Sequence, residues 1–311
     1  MKALKKILAV MLLLALVFSL TGCTAFETKM AKAANKMKKV DNLRADIAFY
    51  ADFDMLLLGQ SLGNMTLGME GTMNIDKAHG TGAGTFHVVS MDEEETDLLV
   101  YYETAGGVLR TWTSDDSGET WKLSEKEIQQ GEGSNLLNIN GISDLDKETI
   151  AQLRALAANF EEDGVAEIRG SESTIYRGTI SLTDLAGGVD LSEMIAPMSE
   201  ALGVELTAED IGQIGDMPVA IGIDNKSGLI SGFALDMTDM IQGFVAVIMK
   251  AYMGQMLGEQ FEGLDLESLG VTMEINDCEL ECVLYDYNAV GDVVIPEDVR
   301  ANAVLAEKAA A

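Results

Sequence analysis

Basic residues are scarce in this chain: 21 Lys and Arg stand against 51 Asp and Glu, a formal net charge of −30. Such a surface repels nucleic acid and anionic head groups, so nucleic-acid binding is excluded. Only two histidines, His79 and His87, are present, and neither has metal-ligand spacing to other donors. This removes the usual histidine-centred hydrolase site, and no catalytic or metal residue and no cofactor is assigned. Prolines number three, and no Pro-rich linker or low-complexity tract divides the chain. Cysteines also number three. Cys278 and Cys282, if on a strand, have Cα atoms about 13 Å apart, beyond the ~7 Å that a disulfide spans. They read as two buried thiols on one strand face, without a disulfide framework. No spanning-length apolar run occurs beyond the first residues. The longest later candidate, Met240–Phe261, is interrupted by Lys250.

The beginning of the chain is informative. Lys2, Lys5 and Lys6 precede an apolar run from Ile7 to Leu20, followed by Thr21-Gly22-Cys23. A positive head, a short apolar core and a small-residue cleavage site predict a secretory signal over residues 1–22. The Leu20-Thr21-Gly22-Cys23 sequence resembles the bacterial lipoprotein box. That resemblance implies cleavage before Cys23, acylation of Cys23 and a location outside the cytoplasm on a membrane; the alternative is an ordinary signal peptide with a chance cysteine. Residues 23–311 are then expected to form a single domain.

Three lysines leave with residues 1–22, so 18 basic residues remain against 51 acidic ones, a net of −33. Five of those 18, Lys29, Lys32, Lys36, Lys38 and Lys39, lie between Thr24 and Val40 beside the single acid Glu27. A cationic helix next to an acyl anchor suits a membrane surface, each lysine contributing up to about 1 kcal/mol. The same lysines are equally the solvated face of an amphipathic helix. Its other face is apolar: Phe26, Met30, Ala33, Met37 and Val40 recur at helical spacing.

After Val40 the period changes from 3.6 to 2. Ala45, Ile47, Phe49, Ala51, Phe53, Met55 and Leu57 alternate with mostly polar neighbours, a turn is expected over Gln60–Asn64, and Met65, Leu67, Met69, Gly71, Met73 and Ile75 repeat the pattern. Shorter strands follow near Thr85–Met91, Asp97–Glu103, Val108–Thr113 and Thr120–Leu123, an antiparallel meander. Ser124–Gln130 and Asp146–Phe160 read as helices. A hairpin over Gly164–Leu182, helical patches at Leu191–Leu202 and Ala208–Ile214, a second hairpin over Met217–Met237 and a helix over Met240–Phe261 come next. The last long strand, Val271–Tyr287, changes phase between Ile275 and Cys278, which predicts a β-bulge at Asn276-Asp277. Val293–Pro296 and a short Ala-rich helix close the chain.

Two motifs read as local structure. Ser114-Asp115-Asp116-Ser117-Gly118-Glu119-Thr120-Trp121 matches the Asp-box pattern of sialidase propellers, but a single copy and four scattered arginines after it leave a structural hairpin. Gly59-Gln60-Ser61-Leu62-Gly63 matches a nucleophile elbow, yet alternating, strand-like residues follow where a helix is required.

The order of elements, with the hairpin residues Ala166–Gly170 and Thr174–Ile180 and the later Pro218–Asp224 and Ser227–Ile230, is similar to the exported lipid-carrier superfamily typified by LolA, LolB and the mycobacterial LppX/LprG lipoproteins. The resemblance implies an α+β fold: a curved antiparallel half-barrel sheet with helices covering its concave face around an apolar cavity. The implied function is noncatalytic binding or carriage of a lipid by a membrane-anchored lipoprotein. Phe49, Phe53, Met55, Met65, Met69 and Met73 are the expected cavity-facing residues. The competing expectation is an envelope interaction or sensory lipoprotein whose sheet is fully packed, its partner unspecified. A solute-binding receptor is disfavoured because βαβ alternation is missing.

Overall fold

The computed structural model of the chain describes residues 25–57, 60–92, 94–127, 159–181, 199, 206–207, 210, 212, 214–257 and 271–305. The first helix, α1 (Ala25–Met37), carries the expected apolar stripe: Phe26, Met30, Ala33, Ala34, Met37 and the following Val40 are all buried. Burying Phe26, Met30 and Met37 contributes about 6 kcal/mol as an upper estimate.

Twelve strands form one open sheet: β1 (Asn42–Leu57), β2 (Gln60–Asp76), β3 (Thr81–Val89), β4 (Glu95–Ala105), β5 (Val108–Ser114), β6 (Lys122–Glu127), β7 (Glu161–Ile168), β8 (Ser171–Ile180), β9 (Met217–Asp224), β10 (Ile230–Asp236), β11 (Val271–Tyr285) and β12 (Val304–Leu305). Helices α2 (Thr238–Leu257) and α3 (Glu297–Asn302) complete the described elements. The order across the sheet is β12-β6-β5-β4-β3-β2-β1-β11-β10-β9-β8-β7. Two antiparallel meanders, β1–β6 and β7–β11, are thus joined where the first strand pairs with the last long one. This is the α+β half-barrel class predicted from sequence.

Register assigns the two faces. Ala45, Ile47, Phe49, Ala51 and Phe53 of β1 stand opposite Met73, Gly71, Met69, Leu67 and Met65 of β2, so both alternating apolar sets lie on one, inner face. The β11 partners of those β1 residues are Leu284, Cys282, Leu280, Cys278 and Ile275. The predicted bulge is present: Asp52 pairs with Asp277 and Phe53 with Ile275, which leaves Asn276 as the extra residue.

Helix α1 docks on the inner face of the β7–β11 half. The Phe26 ring stacks on Phe160 at 4.8 Å and tilts against Tyr176, also at 4.8 Å. Helix α2 lies against β11 and β9, with Met240 and Val247 buried. The outer face of β4–β6 has a second, smaller core in which Trp112 and Trp121 pack with Ile295 and Val299 of the C-terminal segment.

Several expectations need correction. Lys122–Glu127 is strand β6 where Ser124–Gln130 reads as a helix. Its pairing with β5, tied by Arg110 Nε donating to Glu125 Oε1 at 2.7 Å, overrides a helix-prone polar sequence. Strand β2 already begins at Gln60, and Ser61 pairs with Leu56, so Gln60–Asn64 is paired strand where a turn is expected. The described residues end in a feature that no pattern signalled: β12 pairs with β6 in parallel, after α3. The helices expected at Asp146–Phe160 and Leu191–Leu202, and residues 258–261 of the long helix, fall largely or wholly outside the described residues, as does Cys23.

Candidate functional site

Strands β1, β2 and β11 run longer than their neighbours because their period-2 patterns run longer, and they build the middle of the inner face. Three cross-strand rows organise it: Met73–Ala45–Leu284, Met69–Phe49–Leu280 and Met65–Phe53–Ile275. Phe53 and Met73 are buried, at 8% and 7% exposure. Phe49, Met65 and Met69 are only partly buried against the same core. Five of the six residues singled out in sequence therefore meet in one apolar layer. The sixth, Met55, shares their register between Gly63 and Met273 but is 39% exposed, beyond the packed region.

The layer continues onto residues that periodicity did not single out. Val88, Leu98 and Val100 of β3 and β4 are half-buried beside it, as are Ile241, Phe244 and Val245 of α2. A finished core buries such side chains almost completely. Here a band of aliphatic and aromatic groups on the inner face keeps part of its surface accessible. The strand residues among them were legible as alternating positions, whereas α2 carries apolar residues on most sides and offers no single stripe to read.

Backbone groups around this band are well satisfied. Before Glu279, β11 lacks β10 as a ladder partner, and α2 takes over. Cys278 N donates to Thr238 Oγ1 at 2.9 Å, Ile275 N donates to Gln242 Oε1 at 2.7 Å, and Gln242 Nε2 donates to Met273 O at 3.0 Å. Cys278 and Cys282 are free and buried on the inner face, as expected. Burial, with the acids beside each in sequence, pushes the Cys278 thiol up to about 11 and the Cys282 thiol up to about 12, which keeps both protonated and unreactive.

The five lysines divide. Lys29 lies 3.7 Å from Glu162 and 5.4 Å from the Tyr176 ring centre, and the nearby Tyr176 side chain, with the acid, raises its pKa. Lys36 Nζ donates to the Ser227 carbonyl in the β9–β10 turn. These two tie α1 to the sheet, while Lys32, Lys38 and Lys39 are exposed.

The remaining motifs have local partners. Asp116 accepts from Thr120 N and from Ser114 Oγ, at 2.9 and 2.7 Å, and also from Thr120 Oγ1. Those bonds hold its carboxyl well below the usual carboxylate range and close the β5–β6 hairpin. Ser61 Oγ reaches Asp54 at 3.4 Å, while His79 lies against Asp76 and His87 against Asp97. Among the described residues Asp76, His79 and Asp292 are close enough to share an ion. Asp76 is already satisfied there by the His79 ring and by the amides of His79 and Val293.

No protein-family model and no curated protein sequence matches the chain. Among solved structures it is similar to the lipoprotein LppX of Mycobacterium tuberculosis, at 12% identity and a TM-score of 0.35 over 84% of this chain and 93% of that one. It is also similar to LprF from Mycobacterium bovis, at 10% identity and a TM-score of 0.38 over 87% of this chain and 95% of that one. No described helix is long and apolar enough to cross a membrane.

Proposed function

We propose that this chain is a noncatalytic lipoprotein, anchored outside the cytoplasm through Cys23, that shelters the acyl part of a lipid or a similar apolar ligand between its curved sheet and its helices. One observation carries the reading: Phe49, Met65, Met69, Val88, Leu98 and Val100 of the inner face, with Phe244 and Val245 of α2, stay only partly buried against the apolar core. Each methylene moved from water onto such a surface contributes roughly 0.8 kcal/mol, so an acyl chain of ordinary length is held without any charged contact. Lys32, Lys38 and Lys39 remain free to meet anionic head groups beside the anchor, whereas Lys29 and Lys36 act within the fold.

The test is native mass spectrometry of the purified chain after incubation with a lipid extract of the source cell. The expected result is a retained lipid mass that disappears in Met69→Glu, whose carboxylate lands in the middle of the band. An unliganded mass at every lipid concentration would refute carriage and leave the interaction-protein reading. Peptide mass analysis of the N-terminal fragment separately reports acylation of Cys23.

A further inference from the structure

The outer face of the sheet, opposite the apolar band, holds a hollow of about 380 Å3 whose lining includes Arg44, Thr72, Asn74, Thr85, Tyr101 and Tyr285. Register explains its shape. One cross-strand row runs Tyr285–Arg44–Asn74–Ala83–Tyr101 and the next runs Asp46–Thr72–Thr85–Leu99. Large side chains stand on β11, β1 and β4, while β2 and β3 between them carry Asn, Thr and Ala. The low floor on β2 and β3 thus lies between walls on β1 and β4, three inter-strand steps or roughly 14 Å apart between backbones.

The lining is braced from behind. The Arg169 guanidinium stacks over Tyr285 at 4.5 Å from the ring centre and pairs with Asp46. Tyr285 and Thr72 hydroxyls each donate to Asp46 at 2.8 Å. Arg44 donates to Asn74 Oδ1 at 2.8 Å and to Asp286 at 3.0 Å. On the other wall Tyr101 leans on Trp121, ring centres 5.4 Å apart. The two arginines are each matched by one carboxylate, so the hollow is close to neutral within a strongly acidic body. Uncommitted among the described residues are the Asn74 amide hydrogens and the Thr85 and Tyr101 hydroxyls.

This chemistry selects a ligand by elimination. An acyl chain would strand the polar floor without partners. An anion would find guanidinium charge already neutralised, and a metal cation would find Asp46 already engaged by Arg169, Tyr285 and Thr72. A neutral ring bearing several hydroxyls fits all of it: hydroxyls to the amide, guanidinium and threonine groups, C–H faces to Tyr101, Leu99 and Tyr285. We propose that the hollow is a binding site for a neutral saccharide, either a free glycan or the sugar head group of a glycolipid.

Helix α1 starts beside Tyr176 and ends at the β9–β10 turn, where Lys36 meets Ser227. The hollow lies at that latter end of the sheet, near the start of β1.

The test is isothermal titration of the chain with chitotriose, maltotriose and octyl glucoside below its micelle concentration. Expected is saturable binding of at least one of these probes with a Kd of about millimolar or tighter. Thr85→Tyr, which fills the floor from an exposed strand position, weakens it at least roughly tenfold without moving the urea midpoint. Octyl glucoside as the tighter ligand identifies a glycolipid head group, and a trisaccharide as the tighter ligand identifies a free glycan. No saturable binding of the three probes at about 10 mM overturns the proposal, as does binding that Thr85→Tyr leaves unchanged. Octyl glucoside can also seat its alkyl chain on the inner apolar band, so its binding is assigned to the hollow only where Thr85→Tyr weakens it and Met69→Glu leaves it unchanged; the two trisaccharides carry no such chain, and the carrier reading stands or falls separately.

Discussion

Phe53 and Phe49 stand four residues apart on the same face of β1, and under the proposed carrier role they separate a closed core from a ligand-facing surface. Phe53 is 8% exposed and packed between Met65 and Ile275. Phe53→Ala therefore removes a ring from a site that cannot collapse freely, at a cost of about 3–4 kcal/mol. Phe49, between Met69 and Leu280, keeps part of its ring accessible. Less transfer energy and a smaller cavity are lost there, and Phe49→Ala should cost about 1–2 kcal/mol. With a urea m-value of about 3 kcal/mol/M for a domain of this size, the midpoints fall by roughly 1.0–1.3 M for Phe53→Ala and 0.3–0.7 M for Phe49→Ala. Urea titration followed by tryptophan fluorescence and far-UV circular dichroism measures both. Lipid retention should show the reverse order, because Phe49 belongs to the accessible band. Equal midpoint losses, with Phe49 as costly as Phe53, would mean that the inner face is an ordinary core and would refute the reasoning.

Three further outcomes are expected. A Cβ added at Gly82 would lie 1.9 Å from Tyr102 Cε1, whose ring is buried, so Gly82→Ala should destabilise the fold by about 2–3 kcal/mol in the same urea titration. Gln242→Leu leaves Ile275 N and Met273 O without their partner; a loss of about 2 kcal/mol is expected, together with faster amide exchange at Ile275. At the C-terminal segment, the Asp76 bond raises the His79 pKa above 6.5. Burial opposes ionisation of Asp76, but the His79 ring and amide and the Val293 amide lower its pKa below 3.8 on balance. The His79 contribution is complete below pH 6.5 and is lost as pH rises through its raised folded value. The Asp76 contribution is complete above about pH 3.8 and is lost as pH falls. Amide exchange at Val293 should thus be slowest between those limits, and His79→Gln should abolish only the alkaline limb.

What sequence periodicity could reach, it reached well. The α1 stripe, the alternation in β1 and β2 and the phase change at Asn276 each depend on spacing within one segment, and each is found in place. Strand β6 was misread because only Leu123, opposite Trp112, needs to be apolar; its remaining residues are exposed and helix-prone, and pairing with β5 decides their state. Strand β12 is two residues long and owes its place to the packing of Val299 and Ile295 on the tryptophans. The outer hollow was beyond reach for a different reason. Its lining comes from five strands, and what brings Tyr285, Arg44 and Tyr101 around one floor is strand pairing across the sheet, which no local motif encodes.

The bulge at Asn276 connects the two faces and the helix above them. Before it, inward residues of β11 are the odd-numbered Met273 and Ile275; after it they are the even-numbered Cys278, Leu280, Cys282 and Leu284. Without the extra residue, one half of the strand would turn its acids inward, because a one-residue shift exchanges the faces. The extra side chain faces outward, where Asn276 Nδ2 donates to Asp52 and Asp54, each at 3.0 Å. From the inner side the same stretch is latched by Gln242 and Thr238 in the first turns of α2. The position of the helix over the apolar band is therefore set at the place where the strand changes phase. A ligand that lifts α2 must first loosen the Gln242 and Thr238 bonds to β11, so exchange at Ile275 and Cys278 amides should report ligand entry as well as stability.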